Sequence, residues 1–212
     1  MTSAILFDWD GTLLDSAEVC FRTYRRLFAS FDLPFDRERF ENTYSPDWRL
    51  TYSWMGLPEA VWVEADSRWY ALYLEEQADL LPGARNALAR IRDAGLAMGL
   101  VTGGDGRRVR GDLARLGVQE VFSAVVCAED ASRRKPHPDG LFLALDRLGV
   151  GPRDAVYVGD SPEDVEMARA VGVYAVGIPG GFPNEAALRR SGPDLFAPNL
   201  GHAVEALLGL PR

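Results

Sequence analysis

Two aspartates stand two residues apart where a short apolar run stops, in Ile5-Leu6-Phe7-Asp8-Trp9-Asp10-Gly11-Thr12. The run has the character of a buried strand in a parallel sheet. Ligands of open α/β sheets bind beyond the carboxyl ends of the strands, which is where both aspartates fall. A carboxylate at that place can attack phosphorus, bind a cation, or simply close an Asx-turn. Asp10 suits a complementary role, acid toward a leaving group and then base toward water. Turn chemistry is its alternative too. Gly11 and Thr12 favour a tight turn that lets backbone N–H groups approach an anion.

Three later sites repeat the theme. Leu100-Val101-Thr102-Gly103-Gly104 ends an apolar run in a hydroxyl followed by glycines, so Thr102 and the Gly103 N–H can donate to phosphate oxygens. The bland alternative is a β-branched residue finishing a strand. Lys135 sits in Arg133-Arg134-Lys135-Pro136-His137-Pro138, where two prolines stiffen the chain beyond it. There it is either a point charge for a phosphoryl group or a solvated surface cation. Arg133 and Arg134 read as surface residues, and His137 as structural or exposed. Val156-Tyr157-Val158-Gly159-Asp160 is another buried run ending in acid, and Asp160 is a natural oxygen ligand for Mg²⁺. Beyond it Pro162 suits a first helical turn. Glu163 and Asp164 are favourable at its positive end on electrostatic grounds alone.

The elements that must hold these residues alternate. Apolar runs at Ala4–Phe7, Ala97–Val101, Ala124–Cys127, Ala155–Val158 and Val173–Val176 read as strands. Between the later ones lie helical patterns: 82–94, stopped by Gly95; Val109, Leu113 and Leu116, stopped by Gly117; Leu141, Leu145 and Leu148, stopped by Gly149; and Val165 with Ala168, ending before Gly172. Alternation of this kind implies βαβ crossovers and a mostly parallel sheet. The stretch from Ser16 to Asp79 breaks the rhythm. It carries Phe21, Tyr24, Leu27, Phe28 and Phe31 at helical spacing, a second series of Trp62, Trp69, Leu72 and Tyr73, and no strand. It reads as a helical insert, with Asp15 and Glu18 as a capping box for its first helix and Leu81-Pro82-Gly83 as its return hinge.

At 212 residues the chain accommodates one large domain or a core with an insert. With 31 acidic against 23 basic residues the net charge is −8, a field that disfavours nucleic acid and anionic membranes. A bound cation still allows an anionic substrate. Cys20 and Cys127, far apart and each in apolar surroundings, read as buried free thiols. There is no leader-like opening and no apolar run near the ~18 residues of a membrane span, so the expectation is a soluble, cytoplasmic protein.

In their order and strand-end placement, Asp8-x-Asp10, Thr102, Lys135 and Gly159-Asp160 resemble the four motifs of the haloacid dehalogenase superfamily. The resemblance implies an α/β fold with a Rossmann-like parallel core, residues 1–15 and 80–212, and an inserted helical cap, residues 16–79. It implies a phosphatase with Asp8 as nucleophile and Asp10 as acid and base. Asp8, Asp160 and the Asp10 carbonyl would hold Mg²⁺, with Asp164 behind them. Thr102, Gly103 and Lys135 would bind the phosphoryl group of a small phosphorylated metabolite. Cap residues would select the substrate, with Trp54, Met55, Gly56 and Leu57 as the loop facing the site. The string Asp10-Gly11-Thr12-Leu13-Leu14-Asp15-Ser16 is similar to phosphoglycolate phosphatases. Trp9 and Gly103 depart from the usual pattern and are expected to reshape the pocket. A sugar phosphomutase and a non-catalytic binder of a phosphorylated ligand are the alternatives. Monomer and homodimer stay equally open.

Overall fold

The computed structural model describes residues 2–209. Its centre is a parallel sheet built on β1 (Ala4–Phe7), every residue of which is buried. The other strands are β2 (Ala97–Val101), β3 (Ala124–Val126), β4 (Ala155–Gly159), β5 (Tyr174–Gly177) and β6 (Leu195–Phe196). They lie in the order β3-β2-β1-β4-β5-β6, each pair parallel. The five expected strands form, with ends moved by a residue. The two-residue β6 is an addition that no apolar run announces.

Successive side chains of a strand face opposite ways, and β1 shows it. Ile5 and Phe7 join one apolar cluster with Leu88, Ile91, Val109 and Val204. Ala4 and Leu6 join another with Leu141, Leu145, Val165 and Tyr157. Helices supplying those clusters include α5 (Ala84–Asp93), α6 (Gly106–Leu116), α7 (Asp139–Leu148), α8 (Pro162–Val171) and α10 (Leu200–Gly209), together with α9 (Glu185–Ser191), which adds Leu188 and packs beside α8. Gly117 and Gly149 end α6 and α7 in the left-handed region, at φ 64° and 65°, where a side chain is strained.

Register brings the strand ends abreast. Phe7 pairs with Leu100 on one side and Val158 on the other. One or two residues further on come Asp8, Thr102 and Asp160, three loops at a single edge of the sheet.

Between β1 and α5 run α1 (Ala17–Ala29), α2 (Arg37–Thr43), α3 (Trp48–Trp54) and α4 (Trp62–Glu76). They enclose an aromatic cluster of their own, with Phe21, Tyr24, Phe28, Phe35, Phe40 and Tyr52 buried. Asp15 does not cap α1. Ser16 holds that position without a side-chain bond. The Asp15 N–H instead donates to the Asp79 carbonyl at 2.8 Å, and the Leu81 N–H to that of Leu13 at 2.8 Å. The outgoing and returning chains are thus stitched together, and Asp15 is used by that seam.

Candidate active site

Lys135 is the hub of the strand-end cluster. Its Nζ donates to Asp8 Oδ1 at 2.7 Å, to Asp164 Oδ1 at 2.8 Å and to the Tyr157 hydroxyl at 2.6 Å. Tyr157 lies on β4, and its hydroxyl donates a hydrogen bond to the Val101 carbonyl at 2.8 Å. The lysine therefore joins the ends of β1, β2 and β4. Burial alone would depress its pKa, but Asp164 and Asp8 outweigh that and hold it above the ordinary lysine value. Burial acts the other way on Asp8, pushing it up to about 7; Lys135 opposes the rise and Asp164 adds to it. Asp160 is raised for the same reason, burial first and then the neighbouring Asp8 and Asp164.

Asp164 is fully spoken for. Besides Lys135, it accepts from the Ser161 N–H at 3.1 Å and the Ser161 hydroxyl at 2.8 Å. Its own N–H donates back to Ser161 Oγ, completing the capping box that opens α8. Asp160 is the contrast. It is 4 % exposed, and among the described residues its buried Oδ2 has no hydrogen-bond partner. The backbone comes as close to that carboxylate as chemistry permits, since a Cβ on Gly11 or Gly180 would overlap it.

Carboxylate oxygens of Asp8, Asp160 and Asp164 gather within 4.8 Å of one another. Those of Asp164 are already satisfied, so Asp8 and Asp160 have the spare lone pairs. A buried carboxylate oxygen without a donor is costly, and a hard divalent cation is the group that oxygen ligands of this kind suit. The residues fit a metal.

Thr102 Oγ1 accepts from the Gly104 N–H at 3.0 Å, which curls the loop after β2 around the site. Gly103 faces the cavity with open space where a Cβ would stand. Trp9 does not reshape the cavity. It is fully buried among Phe7, Leu13 and Leu14 in the core.

Asp10 turns away from the cluster. Both its oxygens are engaged by the guanidinium of Arg108, Oδ1 by Nη1 at 3.0 Å and Oδ2 by Nη2. Arg108 is 5 % exposed and also meets Asp112 at 3.5 Å and the Tyr73 hydroxyl at 3.3 Å. Burial lowers and Asp10 raises the Arg108 pKa, and the sum is upward. Sequence reading missed this arginine, whose only local mark is an apolar neighbour, Val109, on the buried face of α6.

Above the cluster a cavity of about 550 Å³ opens between core and insert. Trp48, Tyr52, Trp69 and Tyr70 form its roof. The loop expected to face the site does not. Trp54 is 56 % exposed, while Met55 and Leu57 are buried in the aromatic cluster of the insert. Residues 54–57 span the end of α3 and the turn after it, whereas Trp48, Arg49 and Tyr52, earlier in α3, line the cavity. Arg134 is likewise no plain surface residue. It lines the cavity, with its guanidinium 4.0 Å from the centre of the Trp48 ring.

The model of the haloacid dehalogenase-like hydrolases matches residues 5–178. The chain belongs to that family. Within the haloacid dehalogenase-like hydrolases its sequence sides with phosphatases. It is 30 % identical to a phosphoglycolate phosphatase of Yersinia pestis, over 98 % of this chain and 93 % of that protein. A Haemophilus somnus structure described as a predicted phosphoglycolate phosphatase superposes with a TM-score of 0.87, covering 97 % of this chain and 98 % of that one at 22 % identity. CbbY from Rhodobacter sphaeroides, solved in complex with phosphate, gives 0.77 over 94 % and 95 % at 28 % identity. Among the described residues no helix is long and apolar enough to cross a membrane.

Proposed function

We propose that this chain hydrolyses a small phosphomonoester of the phosphoglycolate kind, through an aspartyl-phosphate formed on Asp8 and with Mg²⁺ as cofactor. The observation that carries the reading is the Lys135 ammonium bridging Asp8 and Asp164 beside the unpartnered Asp160 oxygen. Asp8 and Asp160 would hold the ion together with the Asp10 carbonyl. When bound, Mg²⁺ supplies positive charge against the incoming phosphoryl group and the two carboxylates.

The residues then divide the work. An oxygen of Asp8 bonds to phosphorus as the P–O bond to the leaving alcohol breaks, and Asp10 delivers a proton to that alcohol. In the second half Asp10 takes a proton from water as the water oxygen bonds to phosphorus. The Asp8–phosphorus bond breaks and inorganic phosphate departs. Lys135, Thr102 and the Gly103 N–H stabilise the equatorial charge, which is most of what phosphoryl transfer asks of a protein. Asp164 fixes Lys135. Residues 16–79 act as a cap over the site carried by the core, residues 1–15 and 80–212, and keep bulk water out of it.

The test is turnover of p-nitrophenyl phosphate with Mg²⁺ or with chelator, alongside Asp8→Asn and Asp10→Asn. Turnover should require the metal and fall at least about a hundredfold in each variant, on the scale of acid–base effects. Undiminished activity in Asp8→Asn would end the covalent reading. Phosphate release without any sugar phosphate present separates hydrolysis from a mutase reaction.

A further inference from the structure

The loop after β5 runs past Asp160. Gly177 pairs with Gly159, and the Ile178 N–H donates to the Gly159 carbonyl at 3.0 Å. Gly180, Gly181 and Phe182 follow within a few residues. A Cβ on Gly180 would overlap the Asp160 carboxylate. One on Gly11 would overlap both that carboxylate and the Phe182 ring. In an interior packed this closely, the carboxylate keeps its place only while the loop keeps its own.

Phe182 belongs to the core by sequence and to the insert by packing. It is 4 % exposed and lies in the aromatic cluster of the insert, with Phe21, Tyr24 and Phe40. Its ring stacks on Tyr44, with centres 4.5 Å apart and planes 15° apart. Tyr44 stands at the end of α2 and packs edge-on against Phe40 at 5.4 Å, so the stack continues into the interior of the insert. The neighbouring Gly181 touches the insert as well. A Cβ there would stand 3.4 Å from that of Ala17, the first residue of α1.

One short loop therefore meets the insert with Phe182 and the Asp160 carboxylate with Gly180. Stacked rings favour particular mutual orientations, so Tyr44 constrains how the Phe182 ring lies against Gly11. An insert lifted from the core would take Tyr44 away, and the loop would lose its outer support.

Resting on the reading of Asp8 and Asp160 as cation ligands, we propose that Phe182 is a positioning residue for the cation site. Held by Tyr44, it fixes the loop and with it the Asp160 carboxylate. A seated insert and Mg²⁺ at Asp160 then strengthen each other, because a coupling between two binding events acts equally in both directions. The ion is held more tightly under a closed insert than under an open one.

The test is titration calorimetry of Mg²⁺ into the full chain without any phosphoester. The unsubstituted protein is compared with Phe182→Leu, Tyr44→Leu, the double variant and Tyr44→Phe. Leucine keeps apolar volume and removes the stack, whereas Tyr44→Phe keeps the ring. Each single leucine variant should raise the Mg²⁺ Kd about three- to tenfold, the scale of one aromatic pair. Tyr44→Phe should bind as the unsubstituted protein does. The double variant should be no weaker than the weaker single one, since both substitutions break the same contact.

Amide hydrogen exchange reads the coupling from the other side. Mg²⁺ should slow exchange in α1 and α2 of the unsubstituted protein, and should do so much less in Tyr44→Leu. An unchanged Kd in Tyr44→Leu, additive losses in the double variant, or exchange in the insert indifferent to Mg²⁺ would each overturn the proposal. Should Phe182→Leu fail to fold, Tyr44→Leu and the exchange measurement decide. p-Nitrophenyl phosphate turnover, followed alongside, separates the two readings. Metal-dependent turnover with one Kd throughout removes the coupling and keeps the phosphatase. Coupled Mg²⁺ binding without turnover does the reverse.

Discussion

The Arg108 guanidinium takes both oxygens of Asp10, across 98 residues of sequence, in a setting where the arginine is 5 % exposed. The same guanidinium touches Tyr73, which belongs to α4 of the insert. Asp10 is thereby tied both to the core helix α6 and to the insert. A carboxylate held by two parallel N–H bonds cannot reach a leaving oxygen without leaving Arg108. The pair sets where Asp10 waits.

Replacing Arg108 should therefore act on stability and on chemistry in distinguishable ways. Arg108→Met leaves Asp10 without its cation and Asp112 with Arg115 alone, at 3.1 Å. A loss of about 3–5 kcal/mol is expected in denaturant titration, the cost of breaking a buried pair. Arg108→Lys keeps a charge but loses the fork. In that variant, single-turnover formation of the aspartyl-phosphate from alkyl phosphates, whose leaving oxygen needs a proton, should slow much more than its formation from p-nitrophenyl phosphate. Equal changes for both substrates would show that Arg108 does not position Asp10.

Lys135 offers a second test. It is the shared cation of Asp8 and Asp164, and its removal unbalances two buried carboxylates. Lys135→Met should lower turnover by about 10²–10³, the scale of losing one electrostatic donor to the transferring group. Lys135→Arg should not restore it, because a planar fork cannot meet Asp8, Asp164 and Tyr157 from one point as an ammonium does. Recovery of most activity in Lys135→Arg would count against the hub geometry.

What the sequence discloses about this site follows from where each residue stands. Asp8, Thr102 and Asp160 are legible because each interrupts an apolar run, and register then places the three strand ends together. Arg108 and Tyr73 are not legible. Their roles depend on a contact between α6, β1 and α4 that no periodicity records. The same limit explains the misplaced loop at 54–57. Gly56 does turn the chain, at φ 73°, but Met55 and Leu57 are drawn into the aromatic core of the insert, leaving Trp48, Arg49 and Tyr52 to line the cavity. Arg134 reads as a surface charge until Trp48 is seen above it.

The glycines beside Asp160 make a prediction that needs no catalytic residue to change. A methyl group at Gly180 would overlap the Asp160 carboxylate and displace it from Asp8. Gly180→Ala should weaken the Mg²⁺ requirement curve by about 10–100-fold, as changes around a metal ligand do, with an overpacking loss of about 1–3 kcal/mol in chelator. The comparison is the metal concentration giving half-maximal turnover in the two proteins. An unshifted curve would mean that Asp160 is not a ligand.

Stability should depend on pH in a direction set by the same carboxylates. Burial lifts Asp8 from 3.8 to about 7, and lifts Asp160 as well. Between those two pH values the folded chain binds protons that the unfolded chain has lost. The contribution of Asp8 is thus complete below pH 3.8 and is lost as pH rises through about 7. Metal-free protein should therefore melt at a lower temperature at pH 8 than at pH 5. Mg²⁺ competes with those protons, so it should raise the melting temperature more at pH 8 than at pH 5, in proportion to the logarithm of its concentration above Kd. Asp160→Asn removes one of the buried charges and should flatten the metal-free slope. Differential scanning calorimetry in chelator and in Mg²⁺ at both pH values decides the matter. A metal-free melting temperature that climbs from pH 5 to pH 8 would mean that Asp8 and Asp160 carry no such burden.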